Sequence, residues 1–167
     1  EVRLIWKPDK RHQRYRIIMS DKWLIMWIVM NRKDKPVKIL IKSGRVLDPA
    51  TGTDGIRDLL VEDGRIAKVA PEIEEEAEQV IDASGCYVMP GLIDIHVHLR
   101  DPGFEYKETI KTGAMAAAKG GFTTICPMPN TKPVTDSPEM IRKVIEKAKA
   151  EAPIHVLPVG AVTIGQM

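Results

Sequence analysis

Between residues 37 and 89, hydrophobic and polar residues alternate in short runs, a pattern typical of half-buried β-strands. The runs lie at residues 37–42, 45–48, 58–62, 65–69, 80–82 and 87–89. Ser43-Gly44 predicts a turn between the first two runs, and Asp63-Gly64 strongly favours a two-residue β-hairpin between the next pair. The pattern therefore predicts a small antiparallel β-sheet domain over residues 37–89.

After residue 90 the hydrophobic pattern changes to strands that alternate with amphipathic helices. Strands are predicted at 92–98, 122–126 and 154–159, and helices from about 105 to 119 and from 138 onward. The helical spacing rests on Ile110, Ala114 and Ala117 in the first helix, and on Ile141, Val144, Ile145 and Ala148 in the second. Ser137-Pro138 is a typical helix start. This order predicts a parallel sheet with right-handed crossovers.

The length of this second region limits the fold it can complete. A TIM (β/α)₈ barrel needs about 250 residues, whereas residues 90–167 supply about two and a half βα units. The sequence therefore predicts an α/β fold, with an incomplete barrel preceded by the small antiparallel sheet, and we expect the chain to end in mid-barrel. In such barrels the active site lies where the strands end.

Composition narrows the class of protein further. The chain has 167 residues, 44% hydrophobic and 29% charged, which is ordinary for a globular protein and excludes extensive disorder. Cys86 and Cys126 lie far apart, so neither a disulfide framework nor a cysteine metal site is indicated. A reducing cytoplasm is the expected location.

Residues 1–36 differ in composition from the remainder. They hold ten Lys and Arg residues against four acidic ones, and all three tryptophans. The apolar run 23–30 is too short to span a bilayer, for which about 20 residues are needed, and no cleavage site follows it. No known nucleic-acid-binding motif accompanies the basic cluster. We interpret residues 1–36 as a basic extension outside the fold, with Met30 as a reasonable natural start, and expect neither a membrane nor a nucleic acid as partner.

The strongest chemical signal is His96-Val97-His98, which follows an apolar strand. Alternate residues of a strand point to the same side, so both imidazoles are expected to project together and to hold one metal ion. A catalytic zinc site needs about three protein ligands and an open position, so this pair is half a site. Arg100 continues on the same side and suits a carboxylate. Asp94 has the same parity, and we favour a hydrogen-bonding role for it beside the ligands.

The motif Pro-Gly-Leu-Ile-Asp-Ile-His-Val-His-Leu-Arg-Asp-Pro-Gly at residues 90–103, with Met-Pro-Asn-Thr at 128–131, resembles the amino-terminal part of bacterial dihydroorotases. These enzymes are cyclic amidohydrolases of the metal-dependent hydrolase superfamily. The resemblance implies His96 and His98 as zinc ligands. It also implies His98, Arg100 and Asn130 as contacts to dihydroorotate or carbamoyl-aspartate, in pyrimidine biosynthesis.

The resemblance also implies parts that these residues do not supply. The general base is expected to be an aspartate beyond Met167, together with the remaining metal ligands, so we expect the 167 residues alone to be inactive. One or two zinc ions, a homo-oligomer and an association with aspartate transcarbamoylase are further expectations from the family.

Several alternatives stay open at this stage. Arg100 could pair only with Asp101 or Glu105, and Asn130 could be a simple turn residue. The chain could belong to another cyclic amidohydrolase, such as an allantoinase or a hydantoinase, or to a catalytically silent homologue that partners aspartate transcarbamoylase. His155, His12 and Cys126 are interpreted as ordinary residues.

Overall fold

The computed structural model describes residues 24–25 and 38–166, which form two compact units divided between Pro90 and Gly91. We call the first the sheet unit and the second the strand–helix unit. The predicted extension 1–36 lies outside the described residues, except for one two-residue strand, and the assignment of that extension stays a prediction.

The sheet unit is a single six-stranded sheet. Its strands are β1 (Leu24–Ile25), β2 (Lys38–Asp48), β3 (Thr53–Glu62), β4 (Arg65–Ala70), β5 (Gln79–Asp82) and β6 (Tyr87–Met89). The β2–β3 and β3–β4 pairs are antiparallel, but β5 and β6 pair with β2 in parallel, and β1 pairs with β6 in parallel. The prediction of an antiparallel sheet is therefore confirmed for β2, β3 and β4. It is wrong for β5 and β6, because the residues after β4 bring the chain back to β2 in the same direction.

The turn predicted at Ser43-Gly44 is also wrong, because β2 runs through these residues as one strand with a bulge. Ser43 adopts a φ of 62°. Its backbone N–H donates to the Asp58 carboxylate over 2.8 Å and so leaves the ladder. A bulge of this kind and a turn draw on the same residue types, so the local sequence does not separate them.

The hairpin predicted at Asp63-Gly64 is confirmed. Both residues have positive φ, 50° and 76°, as a two-residue turn of this type requires. The sheet packs on both faces, since neighbouring residues of β2 enter separate apolar clusters: Ile41 packs with Leu59 and Val88, and Leu40 packs with Leu60 and Ile73. Burial on both sides makes the register of β2 and β3 specific.

The strand–helix unit has three parallel strands in the order β7–β8–β9, with one helix in each connection. Its elements are β7 (Leu92–Val97), α1 (Ile110–Lys119), β8 (Phe122–Pro127), α2 (Pro138–Glu151), β9 (His155–Val156) and a 3₁₀ turn at Ile164–Gln166. The predicted alternation of strands and helices with parallel pairing is confirmed. This arrangement places the ends of β7 and β8 at the same edge of the sheet, where the candidate site residues follow.

Helix α1 begins at Ile110, later than the predicted position near residue 105. Thr109 caps it by accepting a hydrogen bond from the Thr112 backbone N–H. The preceding residues form turns, and the buried face uses Ile110, Ala114 and Ala118, so Ala117 is only partly buried. Helix α2 begins as predicted, with Ser137 accepting from the Met140 backbone N–H and Pro138 in the first turn.

Apolar side chains of β7 remain open to solvent. Ile93 is 63% exposed and Ile95 is 74% exposed, although both lie in a run with the composition of a buried strand. Such residues need a covering element to contribute to a core. No helix in the described part of the chain has the length and apolar character to cross a membrane.

Candidate functional site

The two histidines at the end of β7 lie side by side. The ring centroids of His96 and His98 are 5.2 Å apart, and the rings meet edge to face at 73°. The Asp94 carboxylate accepts a hydrogen bond from the His96 backbone N–H over 3.0 Å, which fixes the chain where the strand ends. The expected convergence of the imidazoles is present, while their role as metal ligands stays a prediction.

Asn130, from the loop after β8, reaches the same point. Its Oδ1 lies 3.0 Å from His98 Nδ1. With that amide oxygen as the acceptor, His98 carries its proton on Nδ1, and the lone pair of Nε2 is free for a metal ion. No described residue accepts a hydrogen bond from the Asn130 amide N–H groups, so they can donate to another partner. The reading of Asn130 as only a turn residue does not account for this contact.

Arg100 has no ion pair or hydrogen bond through its guanidinium with the residues that the structure describes. The two acidic neighbours that could have held it are engaged elsewhere: Asp101 pairs with Lys147, and Glu105 accepts from the Gly103 backbone N–H over 2.9 Å. The alternative in which Arg100 pairs only with one of them is therefore wrong. Its backbone adopts a φ of 63°, which is uncommon for a residue with a side chain.

Two loops carry these residues, and they are fastened to each other. We call residues 98–104 the histidine loop and residues 128–135 the asparagine loop. The Met128 backbone N–H donates to the Val97 carbonyl, and the Lys132 backbone N–H donates to the Pro102 carbonyl, each over 2.9 Å. Gly103 lies so close to Lys132 that a Cβ atom there would collide with the Lys132 carbonyl oxygen.

The asparagine loop is also held from within by buried hydroxyl groups. Thr131 Oγ1 donates to the Pro133 carbonyl over 2.7 Å and lies 2.9 Å from Thr135 Oγ1. Both threonines are buried, at 9% and 2% exposure. Buried hydroxyls with satisfied hydrogen bonds fix the path of a loop, so Asn130 is presented on a rigid turn.

Asp101 makes the most buried polar contact of the histidine loop. Its Oδ1 and Oδ2 each lie 2.8 Å from Lys147 Nζ on α2, and Oδ2 also accepts from the Ile110 backbone N–H over 3.2 Å. The hydrogen bond between Lys147 and Asp101 raises the pKa of Lys147 above its usual range. The sequence pattern did not indicate a role for Lys147. Lys147 lies three residues after the buried Val144 on α2, and this spacing places it beside the apolar face of the helix.

The described residues contain no group of three or more His, Cys, Asp or Glu side chains that could hold a metal ion. The donor set is the pair His96 and His98, which suits Zn²⁺ through imidazole nitrogen but leaves at least one ligand to be supplied by other residues. These side chains fit half of a zinc site.

Known proteins resemble this chain in sequence and in fold. Residues 85–167 match the model of the dihydro-orotase-like family. The chain belongs to this family. Curated relatives named dihydroorotase include those of Syntrophotalea carbinolica, 56% identical over 129 residues, and Solibacter usitatus, 54% identical over 127 residues. These matches cover 77% and 76% of this chain, and the chain spans about 30% of the length of each relative.

Solved structures of hydantoinases have a similar fold. The L-hydantoinase of Arthrobacter aurescens is 29% identical, with a TM-score of 0.68, and the D-hydantoinase of a Thermus species is 31% identical, with a TM-score of 0.61. The matches cover 74% of this chain in both cases, and 28% and 27% of those chains. The chain is thus similar in sequence to proteins named dihydroorotase and in fold to hydantoinases.

Proposed function

We propose that this chain forms the amino-terminal part of a dihydroorotase, which interconverts N-carbamoyl-L-aspartate and L-dihydroorotate in pyrimidine biosynthesis. The observation that carries the proposal is the meeting of two motif segments at one point, with Asn130 Oδ1 3.0 Å from His98 Nδ1 and the Arg100 guanidinium left without an ion partner among the described residues. The strand–helix unit would then be the first part of a (β/α)₈ barrel.

The free guanidinium is what a substrate with a permanent carboxylate requires. Both dihydroorotate and carbamoyl-aspartate keep a carboxylate throughout the reaction. Arg100 can bind it through two parallel N–H donors, and the Asn130 amide can donate a further hydrogen bond. Together they would fix the ring relative to His96 and His98, which is the positioning contribution to catalysis.

His96 and His98 would hold Zn²⁺ in the whole protein, with His98 presented through Nε2 because Asn130 engages Nδ1. When bound, the metal supplies Lewis-acid polarisation of the amide carbonyl and a water whose pKa is lowered to about 7. Proton transfer requires a base from outside the described residues. Because the described residues offer only the two histidine ligands and the base is expected from residues outside them, we propose that the 167 residues alone are inactive.

A substrate panel tests this function on the full-length protein that carries the chain. We expect turnover of L-dihydroorotate and carbamoyl-L-aspartate, little turnover of hydantoin or allantoin, and loss of activity when zinc is removed by a chelator. Turnover of hydantoin or allantoin without dihydroorotate would refute the assignment and favour the hydantoinase type, to which the similarity of fold also points.

Two matched variants test, in the same assay, whether Arg100 binds the substrate carboxylate. Arg100→Met should raise KM for dihydroorotate, whereas Arg142→Met, at an exposed position of α2, should leave it unchanged. A protein that binds zinc, turns over none of these rings and assembles with aspartate transcarbamoylase would identify the catalytically silent type instead.

A further inference from the structure

The arginine proposed to bind the substrate is followed directly by a buried acid. Asp101 is 2% exposed, so its carboxylate is removed from water. A buried carboxylate requires an opposite charge or several donors close to it. Lys147 Nζ and the Ile110 backbone N–H supply these, at 2.8 Å and 3.2 Å.

The ammonium of Lys147 stands among several acids. Its pKa is raised first by the hydrogen bond with Asp101, and further by the charges of Glu151 and Glu105. The lysine therefore remains charged at neutral pH and stays directed at Asp101. The Lys147 side chain is 39% exposed, so it contacts the buried carboxylate while part of the side chain remains in solvent.

Arg100 and Asp101 line the same small cavity, together with Met128 and Thr131 of the asparagine loop. Arg100 therefore precedes the buried carboxylate directly in the chain. Its guanidinium has no ion partner among the described residues. An arginine side chain has several rotatable bonds, so it can reach acceptors at more than one position. Without Lys147, the unpaired carboxylate of Asp101 would compete with a substrate for this guanidinium.

We propose that Lys147 is a positioning residue for substrate binding: by holding Asp101, it keeps Arg100 free to bind the carboxylate of the substrate. The identity of that substrate rests on the proposed dihydroorotase function, whereas the competition between Lys147 and Arg100 for Asp101 does not.

Kinetics of the full-length protein test the competition. Lys147→Met should raise KM for dihydroorotate about tenfold, the equivalent of roughly one charge-assisted hydrogen bond, while kcat changes less than about twofold. Lys147→Arg should restore KM, because it returns a cation to Asp101. Lys143→Met is the matched control, since Lys143 lies one turn earlier on α2 and pairs with the exposed Glu139 over 2.8 Å.

A double variant separates competition from a merely structural role. Asp101→Asn combined with Lys147→Met removes both charges, so no carboxylate remains to capture Arg100, and KM should return toward the wild-type value. If the pair only supports the fold, the double variant should be at least as impaired as the single one, and that result would overturn the proposal.

A crystal structure gives a readout that does not depend on activity. In Lys147→Met, the Arg100 guanidinium should lie within about 4 Å of the Asp101 carboxylate, the distance of an ion pair. An Arg100 that has not moved would contradict the inference, even in a protein that turns over dihydroorotate. If the wild-type protein does not turn over dihydroorotate, the proposed function fails and this structure alone decides the inference. Lys147→Gln, which keeps one donor toward Asp101, replaces the methionine variant if that variant does not fold.

Discussion

Each of the two units buries an aspartate, and the two carboxylates are satisfied in different ways. In the sheet unit, Asp58 accepts the backbone N–H groups of Ser43 and Ile73, over 2.8 and 3.0 Å, while Lys42 Nζ remains 3.8 Å away. In the strand–helix unit, Asp101 accepts one backbone N–H, that of Ile110 over 3.2 Å, and its charge is paired with the Lys147 ammonium at 2.8 Å. Backbone donors are fixed by the fold, whereas a side-chain cation can be exchanged for another. A carboxylate of the first kind serves folding, and one of the second kind, beside a free arginine, also affects binding.

Loss of a histidine at the strand end should have the largest effect and should be confined to activity. In the full-length protein, His98→Ala should lower kcat/KM more than about 100-fold, since even groups that only support metal ligands cost about 10- to 100-fold when removed. Zinc content measured by atomic absorption should fall in parallel. His155→Ala is the control, because His155 is exposed on β9. Equal zinc content in His98→Ala and the wild type would contradict the assignment of this ligand.

The aspartate of the sheet unit should show the opposite behaviour. Asp58→Asn replaces one acceptor with a donor that faces a backbone N–H, so the free energy of unfolding should fall by about 1–3 kcal/mol. KM for dihydroorotate should stay unchanged. Urea denaturation provides the measurement, with Asp63→Asn as control, since Asn-Gly also suits the hairpin turn. A raised KM in a folded Asp58→Asn protein would contradict the view that Asp58 affects only stability while Asp101 also affects substrate binding.

The helix cap of the strand–helix unit should give a smaller change, limited to stability. Ser137→Ala removes the acceptor of the Met140 backbone N–H and should cost about 1 kcal/mol. Ser137→Asp should restore most of this loss, because aspartate caps helices about as well as serine. If both variants are equally destabilised in urea, the cap does not hold the start of α2.

The smallest effect should be a dependence of the sheet unit on pH. Hydrogen bonds from Lys38, and then from Lys68, hold the pKa of Glu75 below its usual range. The stabilising contribution is therefore present above the usual carboxyl pKa and is lost as the pH falls through the lowered value. We expect the melting temperature to decline below about pH 4, and less so in high salt. Glu75→Gln should weaken this decline, whereas Glu76→Gln, at an exposed position, should not.

Local sequence signals predicted the features that depend on a few neighbouring residues. The turn at Asp63-Gly64 and the cap at Ser137-Pro138 are examples, because φ and a single hydrogen bond decide them. The His96 and His98 rings were expected on one side because that requires only the period of a strand. Features that depend on distant partners were not predicted. The path of β2 through Ser43 depends on Asp58, fifteen residues away, and Asp101 finds Lys147 at a separation of 46.

The exposed β7 shows a further limit of local reasoning. Its apolar run has the composition of a covered strand, yet Ile93 and Ile95 lie open to solvent in the strand–helix unit. The composition of a strand indicates how much apolar surface must be buried, but it does not identify the element that packs against that surface.

The close approach of Gly103 to Lys132 restricts how this site can be redesigned or can diverge. Any larger residue at position 103 would push the two loops apart, and the distance between His98 and Asn130 would then change as well. Adaptation to a different substrate would therefore proceed by exchanging side chains at the rim, while Gly103 keeps the two loops in close contact.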